Sequence, residues 1–231
     1  MKVFAISDLH LSLSGEKPMD IFGEKWEGYI EKIIEDWNLK VADSDVVLIS
    51  GDISWAMDLE TALQDISVLT KLKGTKILIR GNHDYWWQGI TKIRNSLPEN
   101  IIALQNDSVK IGNIVFCGSR GWSVEGSPDF TEHDRHIYER ESERFKLALA
   151  SAEKLREEGD KLVCLIHYPP FNARREDSLF TVLFEKYAVD KVVYGHLHGS
   201  SAGVIYRLNK NGVEYILASC DLVNNKLVEV Y

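Results

Sequence analysis

The chain has 231 residues and a formal net charge of −8, with 45% hydrophobic and 27% charged residues, a composition typical of a globular protein with a sizeable core. The excess of acidic groups gives no general attraction for nucleic acid or for an anionic membrane surface, and no apolar run approaches the length of a membrane span. A phosphorylated substrate is still compatible with this charge, because bound divalent cations would reverse its sign locally.

The cysteines and the first residues indicate the compartment. Cys117, Cys164 and Cys220 lack C-x-x-C spacing and lie in or beside apolar runs, so we interpret them as buried free thiols of a reducing environment. The first apolar run starts at Met1 and leads directly to Asp8, which leaves no space for a cleavable signal peptide. The sequence therefore predicts a cytoplasmic location.

Apolar runs and amphipathic segments alternate over the first ninety residues. Strands are predicted at 2–6, 45–49 and 75–79, and helices at 24–39, at 59–72 and from Tyr85. This is a βαβαβ pattern, which predicts a parallel sheet with right-handed crossover connections.

The rest of the chain is richer in strands. They are predicted at 101–104, 108–111, 114–117, 161–166, 191–194, 204–208, 213–218 and 227–231, with helices at 134–158 and 179–187. Gly112-Asn113 and Asn211-Gly212 are favoured hairpin turns, and the late strands are expected to complete a second sheet. No repeat or linker interrupts the pattern. The predicted fold is α/β: a four-layer αββα sandwich of two mixed β-sheets flanked by helices, in a single domain spanning residues 1–231.

Polar side chains follow five of the predicted strands. They are Asp8 and His10, then Asp52, then Asn82, His83 and Asp84, then His167, and finally His196 and His198. Singly, each motif has an ordinary explanation as a helix cap, a turn or a hydrogen-bonded core histidine. Ligands bind at the carboxyl ends of parallel strands, so we expect these groups to meet. Such a cluster would be unfavourable without counter-charge, and two divalent metal ions would supply it.

The same motifs also resemble a known family. Asp8-X-His10, Gly51-Asp52, Gly81-Asn82-His83-Asp84, His167 and Gly195-His196-X-His198 resemble the ordered motifs of the calcineurin-like metallophosphoesterases. The resemblance implies two metal sites that share the bridging carboxylate of Asp52. The first would be held by Asp8, His10, Asp52 and His198, and the second by Asp52, Asn82, His167 and His196. These oxygen and nitrogen donors suit manganese first, with iron or zinc as alternatives, and the absence of thiolates argues against a closed structural zinc site.

The resemblance also implies a reaction. A metal-bridging hydroxide would attack phosphorus in line, without a phosphoenzyme. His83 would bind the phosphate and protonate the leaving oxygen, and Asp84 would orient the His83 ring and keep it cationic. The predicted function is a di-metal phosphohydrolase that cleaves a phosphomonoester or a phosphodiester.

The substrate is left open by the motifs. Ser54-Trp55-Ala56 after Asp52 differs from the protein phosphatases of the family, whereas His167-Tyr168-Pro169-Pro170 is closer to its phosphodiesterase branch. The alternatives are a non-catalytic scaffold on the same fold and a nuclease, which the acidic composition disfavours. We expect a small phosphorylated substrate, with neither nucleic acid nor membrane as a partner. The oligomeric state is not indicated.

Residues outside the motifs are weaker candidates. The arginines that could bind phosphate are Arg120, Arg135, Arg140, Arg174 and Arg175. The tryptophans that could form either a substrate rim or core packing are Trp55, Trp86, Trp87 and Trp122. A substrate role for His133 and His136 is a further possibility.

Overall fold

The structure is a computed structural model that describes residues 1–13, 17–200 and 204–231. The strands in these ranges are β1 (Val3–Ile6), β2 (Val46–Ile49), β3 (Thr75–Leu78), β4 (Ile101–Ala103), β5 (Asp107–Ile111), β6 (Ile114–Ser119), β7 (Lys161–Ile166), β8 (Lys191–Tyr194), β9 (Arg207–Lys210), β10 (Val213–Leu217) and β11 (Val228–Glu229). The helices are α1 (Tyr29–Lys40), α2 (Leu59–Thr70), α3 (Ile90–Ser96), α4 (Glu132–Glu153) and α5 (Leu179–Lys186). No helix in the described part of the chain is long and apolar enough to cross a membrane.

The strands form two mixed sheets. The first has the order β11-β1-β2-β3-β4, and the second has the order β5-β6-β7-β8-β10-β9. The central strands of each sheet are parallel, and antiparallel strands lie at β11, β5 and β9. The predicted βαβαβ pattern of the first three strands and both predicted hairpins are confirmed.

Side chains of each strand alternate between two packing layers. In β1, Val3 and Ala5 belong to a cluster that includes residues of both sheets, whereas Phe4 and Ile6 pack in a cluster with α1, α2 and α3. A third cluster joins the second sheet to α4 and α5. Because successive strand residues point to opposite faces, apolar residues on both faces bury each sheet between helices and the other sheet. The four-layer αββα sandwich is confirmed.

One strand lies in a different sheet from the one predicted. The final segment, predicted at 227–231 as part of the second sheet, contributes β11, which pairs with β1 in the first sheet. That prediction was wrong because the alternating pattern of a strand shows which side chains are buried and does not show which sheet edge the strand joins. The Val3 N–H donates to the Tyr231 carbonyl at 2.8 Å, which fixes this pairing.

Two predicted helices begin later than expected. The helix predicted from 24 begins at Tyr29, because Gly28 adopts a left-handed backbone with φ 57° and separates it from a short 3-10 turn. The helix predicted from Tyr85 begins at Ile90, since Trp86 lies in a turn whose indole N–H donates to Asp84 Oδ1 at 3.0 Å. The long helix α4 begins at Glu132, two residues earlier than predicted, with a Thr131 capping box, and ends at Glu153.

Cys117, Cys164 and Cys220 are free and buried, as the sequence predicts. A less expected core residue is Lys76 on β3, whose side chain is fully buried and whose ammonium donates to the Leu72 carbonyl oxygen. Burial lowers the pKa of Lys76 to about 8, because removal from water disfavours the charged amine.

Lys76→Met provides a pH-dependent test of this buried amine. The pKa of Lys76 is lower in the folded chain than in the unfolded chain. Between pH 7 and pH 10 the unfolded chain therefore binds more protons than the folded chain, and stability rises with pH. The unfolding free energy of the native chain should therefore increase relative to that of Lys76→Met by on the order of 1–2 kcal/mol over this range. Urea unfolding of both proteins at each pH measures the difference; a difference that is constant with pH would contradict the burial effect.

Candidate metal centre

The predicted site residues follow strands whose carboxyl ends meet at one edge of the sandwich. The Asp8 N–H donates to the Gly51 carbonyl at 3.0 Å, and the Gly195 N–H donates to the His167 carbonyl at 3.1 Å. These backbone contacts hold the loops after neighbouring strands against one another. The structure brings together all seven residues that the sequence predicts as ligands: Asp8, His10, Asp52, Asn82, His167, His196 and His198.

One group of ligand atoms forms around Asp8. Single ligand atoms of Asp8, His10 and His198 lie within 4.8 Å of one another, and His198 Nε2 is 3.5 Å from Asp8 Oδ1. His10 Nε2 is 3.8 Å from Asp52 Oδ2. Four potential ligands therefore surround one small volume.

A second group forms around Asn82. Its amide oxygen is 2.7 Å from His167 Nε2 and 2.9 Å from His196 Nδ1. His167 Nε2 is also 3.5 Å from Asp52 Oδ2. The carboxylate of Asp52 therefore faces both groups.

The hydrogen bond at His167 Nδ1 suits a cation bound at Nε2 in this second group. The His167 Nδ1 lies 2.8 Å from the Ser50 carbonyl oxygen, which can only accept, so Nδ1 is a donor, and in the neutral ring Nε2 then presents a lone pair. That lone pair faces the Asn82 amide oxygen and the Asp52 carboxylate, which are also acceptors. Electron-rich atoms held this close repel one another, and a metal ion among them would remove the repulsion.

Asp221 contacts a predicted ligand and is not revealed by the motifs. Its Oδ1 lies 3.0 Å from His198 Nδ1, and its Oδ2 accepts the Gly199 N–H at 2.9 Å. The carboxylate thereby holds His198 with Nε2 facing Asp8, the arrangement in which a histidine binds a metal through one nitrogen and a carboxylate through the other. An acid in a strand-free segment near the chain end carries no spacing signal that could have identified it.

Asp221→Ala should weaken metal binding by roughly 10–100-fold, because the His198 ring loses the partner that fixes its orientation. Competition with a chelator of known affinity measures the change. Asp45→Ala is a matched control, because Asp45 is another buried carboxylate. It accepts two backbone N–H groups and lies at the other end of the strands, away from the predicted ligands. Equal losses of metal affinity in the two variants would contradict the role of Asp221.

The backbone at the site is strained. Four of the seven predicted ligands have left-handed backbone angles: Asp8 at φ 59°, His10 at φ 45°, Asp52 at φ 51° and His196 at φ 70°. Such angles are uncommon for residues other than glycine and are found at functional sites, where the surrounding structure compensates for the strain. Here they turn each side chain back toward the shared cluster.

Two glycines allow the loops to approach these carboxylates. A Cβ at Gly81 would overlap Oδ1 and the backbone nitrogen of Asp52, and a Cβ at Gly195 would overlap Ser7 Oγ and Asp8 Oδ2. Neither position has space for a side chain. The glycines of Gly-Asn-His-Asp and Gly-His-X-His therefore serve close packing against the predicted ligands.

Burial and charge set the protonation of the cluster. Burial lowers the pKa of His10 and of His196 to about 3, which keeps both rings in the neutral form that binds metals. Burial raises the pKa of Asp52 to about 7. Burial would lower the pKa of His198, but hydrogen bonds to Asp221 and Asp8 raise it to about 10. The negative potential that favours a proton on His198 equally favours a metal cation beside it.

The two residues predicted as catalytic have different surroundings. His83 is half-buried: its ring lies 4.5 Å from the Trp55 ring, and its Nδ1 is 3.4 Å from the Tyr85 hydroxyl. Asp84 is fully buried and accepts the N–H groups of Ile53 and Gly81 at 2.8 and 2.7 Å. The expected contact between Asp84 and the His83 ring is therefore not observed, because the Asp84 carboxylate is used to hold the loops. Burial lowers the pKa of His83, contrary to the expected cationic ring.

A cavity of about 430 Å³ opens onto the cluster. It is lined by His10, Met19, Phe22, Trp26, Asp52, Trp55, His83, His196, His198 and Gly199. Trp55 stacks on His10 with ring centroids 4.7 Å apart, so it lines the cavity and also packs against the core. Trp86 and Trp87 are buried in the core instead.

Most of the weaker candidate residues lie away from the 430 Å³ cavity. Arg135 pairs with Glu125 and Glu132 on the surface, and Arg174 pairs with Glu176. His136 faces Glu132 at 4.0 Å. The 430 Å³ cavity is lined by none of the five candidate arginines and by neither His133 nor His136. The titratable lining of this cavity therefore consists of imidazoles and the Asp52 carboxylate, without a guanidinium group.

The family model of the calcineurin-like phosphoesterases matches residues 1–200. The chain belongs to the calcineurin-like phosphoesterase family. With the cluster of buried carboxylates and imidazoles that could hold a metal ion, this membership makes it a metal-dependent phosphoesterase.

Solved structures share the fold at low identity. A protein of unknown function, AQ665 from Aquifex aeolicus, is 15% identical with a TM-score of 0.51, over 99% of this chain and 95% of its own. Phosphopantetheinyl hydrolase from Mycobacterium tuberculosis is 14% identical with a TM-score of 0.57 and the same coverage. TT1561 from Thermus thermophilus is 12% identical with a TM-score of 0.60, over 98% of this chain and 96% of its own. No curated protein matches the chain.

Proposed function

We propose that this phosphoesterase binds two divalent cations and hydrolyses a small organic phosphoester. One observation carries the proposal: Asp52 Oδ2 lies 3.5 Å from His167 Nε2 in one group of ligand atoms and 3.8 Å from His10 Nε2 in the other. A carboxylate between two such groups suits a pair of metals that share a ligand. Manganese is proposed first, and iron or zinc would fit the same donors.

Each predicted ligand has a proposed place. Asp8, His10 and His198 would hold the first ion with Asp52, and Asn82, His167 and His196 would hold the second with Asp52. Bound divalent cations would lower the pKa of a water molecule and offset the charge of the phosphate oxygens. The histidines would keep their lone pairs directed inward, because Ser50 and Asp221 hold the opposite ring nitrogens of His167 and His198.

His83 is the proposed general acid. Its backbone N–H donates to Asp52 Oδ1 at 2.8 Å, which fixes the residue beside the ligands, and its ring lines the cavity. Tyr85, with its hydroxyl 3.4 Å from His83 Nδ1, takes the orienting role first expected of Asp84. A proton donated from His83 to the leaving oxygen would make poor leaving groups reactive.

The cavity wall indicates the rest of the substrate. Met19, Phe22, Trp26 and Trp55 form the apolar part of the lining, with Trp55 stacked on His10 and Trp26 5.7 Å from the His198 ring. Burying apolar area against such a wall favours a substrate with a flat or apolar group next to the phosphate. We propose a small phosphoester of this kind, either a monoester or a diester.

The test compares two model substrates on the purified chain. Turnover of p-nitrophenyl phosphate and of bis-p-nitrophenyl phosphate is measured with and without added Mn²⁺, and bound metal is counted by elemental analysis. We expect manganese-dependent turnover of at least one substrate with about two ions per chain. Bound metal without turnover of either substrate would favour the scaffold alternative, and a preference for oligonucleotides would favour the nuclease alternative.

A further inference from the structure

A second cavity, separate from the metal centre, is unusually rich in arginine. Its volume is about 290 Å³, and it is lined by Arg80, Leu104, Gln105, Asn106, Ser119, Arg120, Arg140, Glu141 and Arg144. The arginines come from the loops that follow β3 and β6 and from the helix α4. We call it the arginine cavity. Its lining contains four arginines and one carboxylate residue, Glu141, in a chain whose formal net charge is −8.

The one carboxylate of the arginine cavity is already used. Glu141 is 1% exposed, and the same oxygen, Oε1, accepts Arg144 Nη1 at 2.6 Å and Arg120 Nη2 at 3.3 Å. Arg120 also stacks on Trp122, with its guanidinium carbon 4.7 Å from the ring centroid. Two of the four arginines are therefore held in place, and their charges are only partly balanced.

The other two arginines have no such partner. The Nε of Arg80 is buried without a hydrogen-bond acceptor among the described residues. Asp84 is an acid whose charge acts on Arg80, but its carboxylate accepts backbone N–H groups. Arg140 lies exposed on α4 and, within residues 1–13, 17–200 and 204–231, makes neither an ion pair nor a hydrogen bond. A buried donor such as Arg80 Nε normally has a partner, and the like charges of Arg80 and Arg140 in one cavity repel.

We propose that the arginine cavity binds a phosphate-type oxyanion. A tetrahedral oxyanion presents several acceptor oxygens, which guanidinium groups match with paired hydrogen bonds. It would supply the acceptor that Arg80 lacks and balance the excess charge. The amides of Gln105 and Asn106 are further groups that can donate.

Two residues of the arginine cavity are joined by backbone links to predicted metal ligands. Arg80 precedes Gly81 and Asn82 in the chain, and the Arg120 carbonyl accepts the His167 N–H at 3.0 Å. The oxyanion has two potential sources that share this chemistry. It is either free inorganic phosphate or, if the proposed function holds, a second phosphoryl group of the substrate.

The first test is calorimetric titration of inorganic phosphate into the metal-loaded full chain. We expect one binding event at the arginine cavity in addition to binding at the metal centre. Arg140→Gln and Arg80→Gln should each weaken that event by roughly tenfold or more, since each removes a charged donor. Lys146→Gln is the matched control, because it removes the same charge from an exposed position on α4 that pairs with Glu143 outside the cavity.

Crystals of the full chain soaked in selenate locate the anion directly, because the anomalous signal of selenium separates the arginine cavity from the metal centre. Selenate in the cavity and a selective loss of binding in the two arginine variants would support the proposal. Phosphate bound at the metal centre alone, or equal effects of Arg140→Gln and Lys146→Gln, would overturn it.

Kinetics of Arg140→Gln distinguish the two sources. A KM that rises roughly tenfold for a bisphosphate substrate, but not for a monophosphate, would assign the cavity to a second phosphoryl group. Unchanged KM values together with weakened phosphate binding would assign it to free phosphate. If no substrate is turned over, the proposed function fails while the titration still decides whether the arginine cavity binds an oxyanion.

Discussion

Replacing Asp52 with alanine is expected to remove tightly bound metal from both sites and to lower kcat/KM by roughly 10³-fold, since metal-ion stabilisation contributes several kcal/mol. The reason is geometric: Asp52 Oδ2 faces His10 in one group and His167 in the other, so its loss affects both. Elemental analysis after gel filtration, together with Mn²⁺-dependent turnover, measures the two effects.

Two further variants separate the loss of the ligand from a loss of structure. Asp52→Asn keeps an oxygen that can accept the His83 N–H, now bound to Asp52 Oδ1 at 2.8 Å, but removes the charge; we expect it to bind metal weakly in a folded chain. Asp65→Asn alters another buried carboxylate, one that accepts the Leu13 N–H at 2.8 Å, and should leave the metal content unchanged. Two tightly bound ions in Asp52→Ala would refute the shared-ligand assignment.

The second large effect is expected at His83. His83→Ala should leave the metal content unchanged and lower kcat by roughly 10²–10⁴-fold, the range associated with general acid catalysis. The loss should be greatest for substrates with poor leaving groups, which need a proton most. Turnover of a series of aryl phosphates with increasing leaving-group pKa measures this dependence.

His136→Ala is the control for His83→Ala, because it removes an exposed imidazole that does not line the cavity. It should change neither turnover nor metal content. Loss of bound metal in His83→Ala would show that His83 acts as a ligand and not as an acid, and a loss independent of the leaving group would remove it from the proton-transfer step.

The site could be predicted from the sequence to the extent that every predicted ligand follows one of five strands. Asp8, Asp52 and Asn82 come after parallel strands that are neighbours in the first sheet, and such ends meet at one edge. His167 and His196 follow neighbouring strands of the second sheet. Their meeting with the first group depends on the packing of the two sheets, which the family resemblance implied and the structure displays.

The errors have a common cause. Asp84 is adjacent to His83 in the chain, yet its carboxylate binds the backbone of Ile53 and Gly81, because an acid buried in a turn is stabilised by nearby N–H groups. β11 joined the first sheet because β1 offered an unpaired edge. In both cases the local sequence leaves the partner undetermined.

The sequence by itself determined the apolar layers, the strand ends and the residues proposed as metal ligands, since side-chain periodicity and residue type are local properties. Only the tertiary structure decided which carboxylate holds His198, which residue faces His83, and that Arg80, Arg120, Arg140 and Arg144 share one cavity. Most of these contacts join segments that are distant along the chain, and burial away from water gives them their strength.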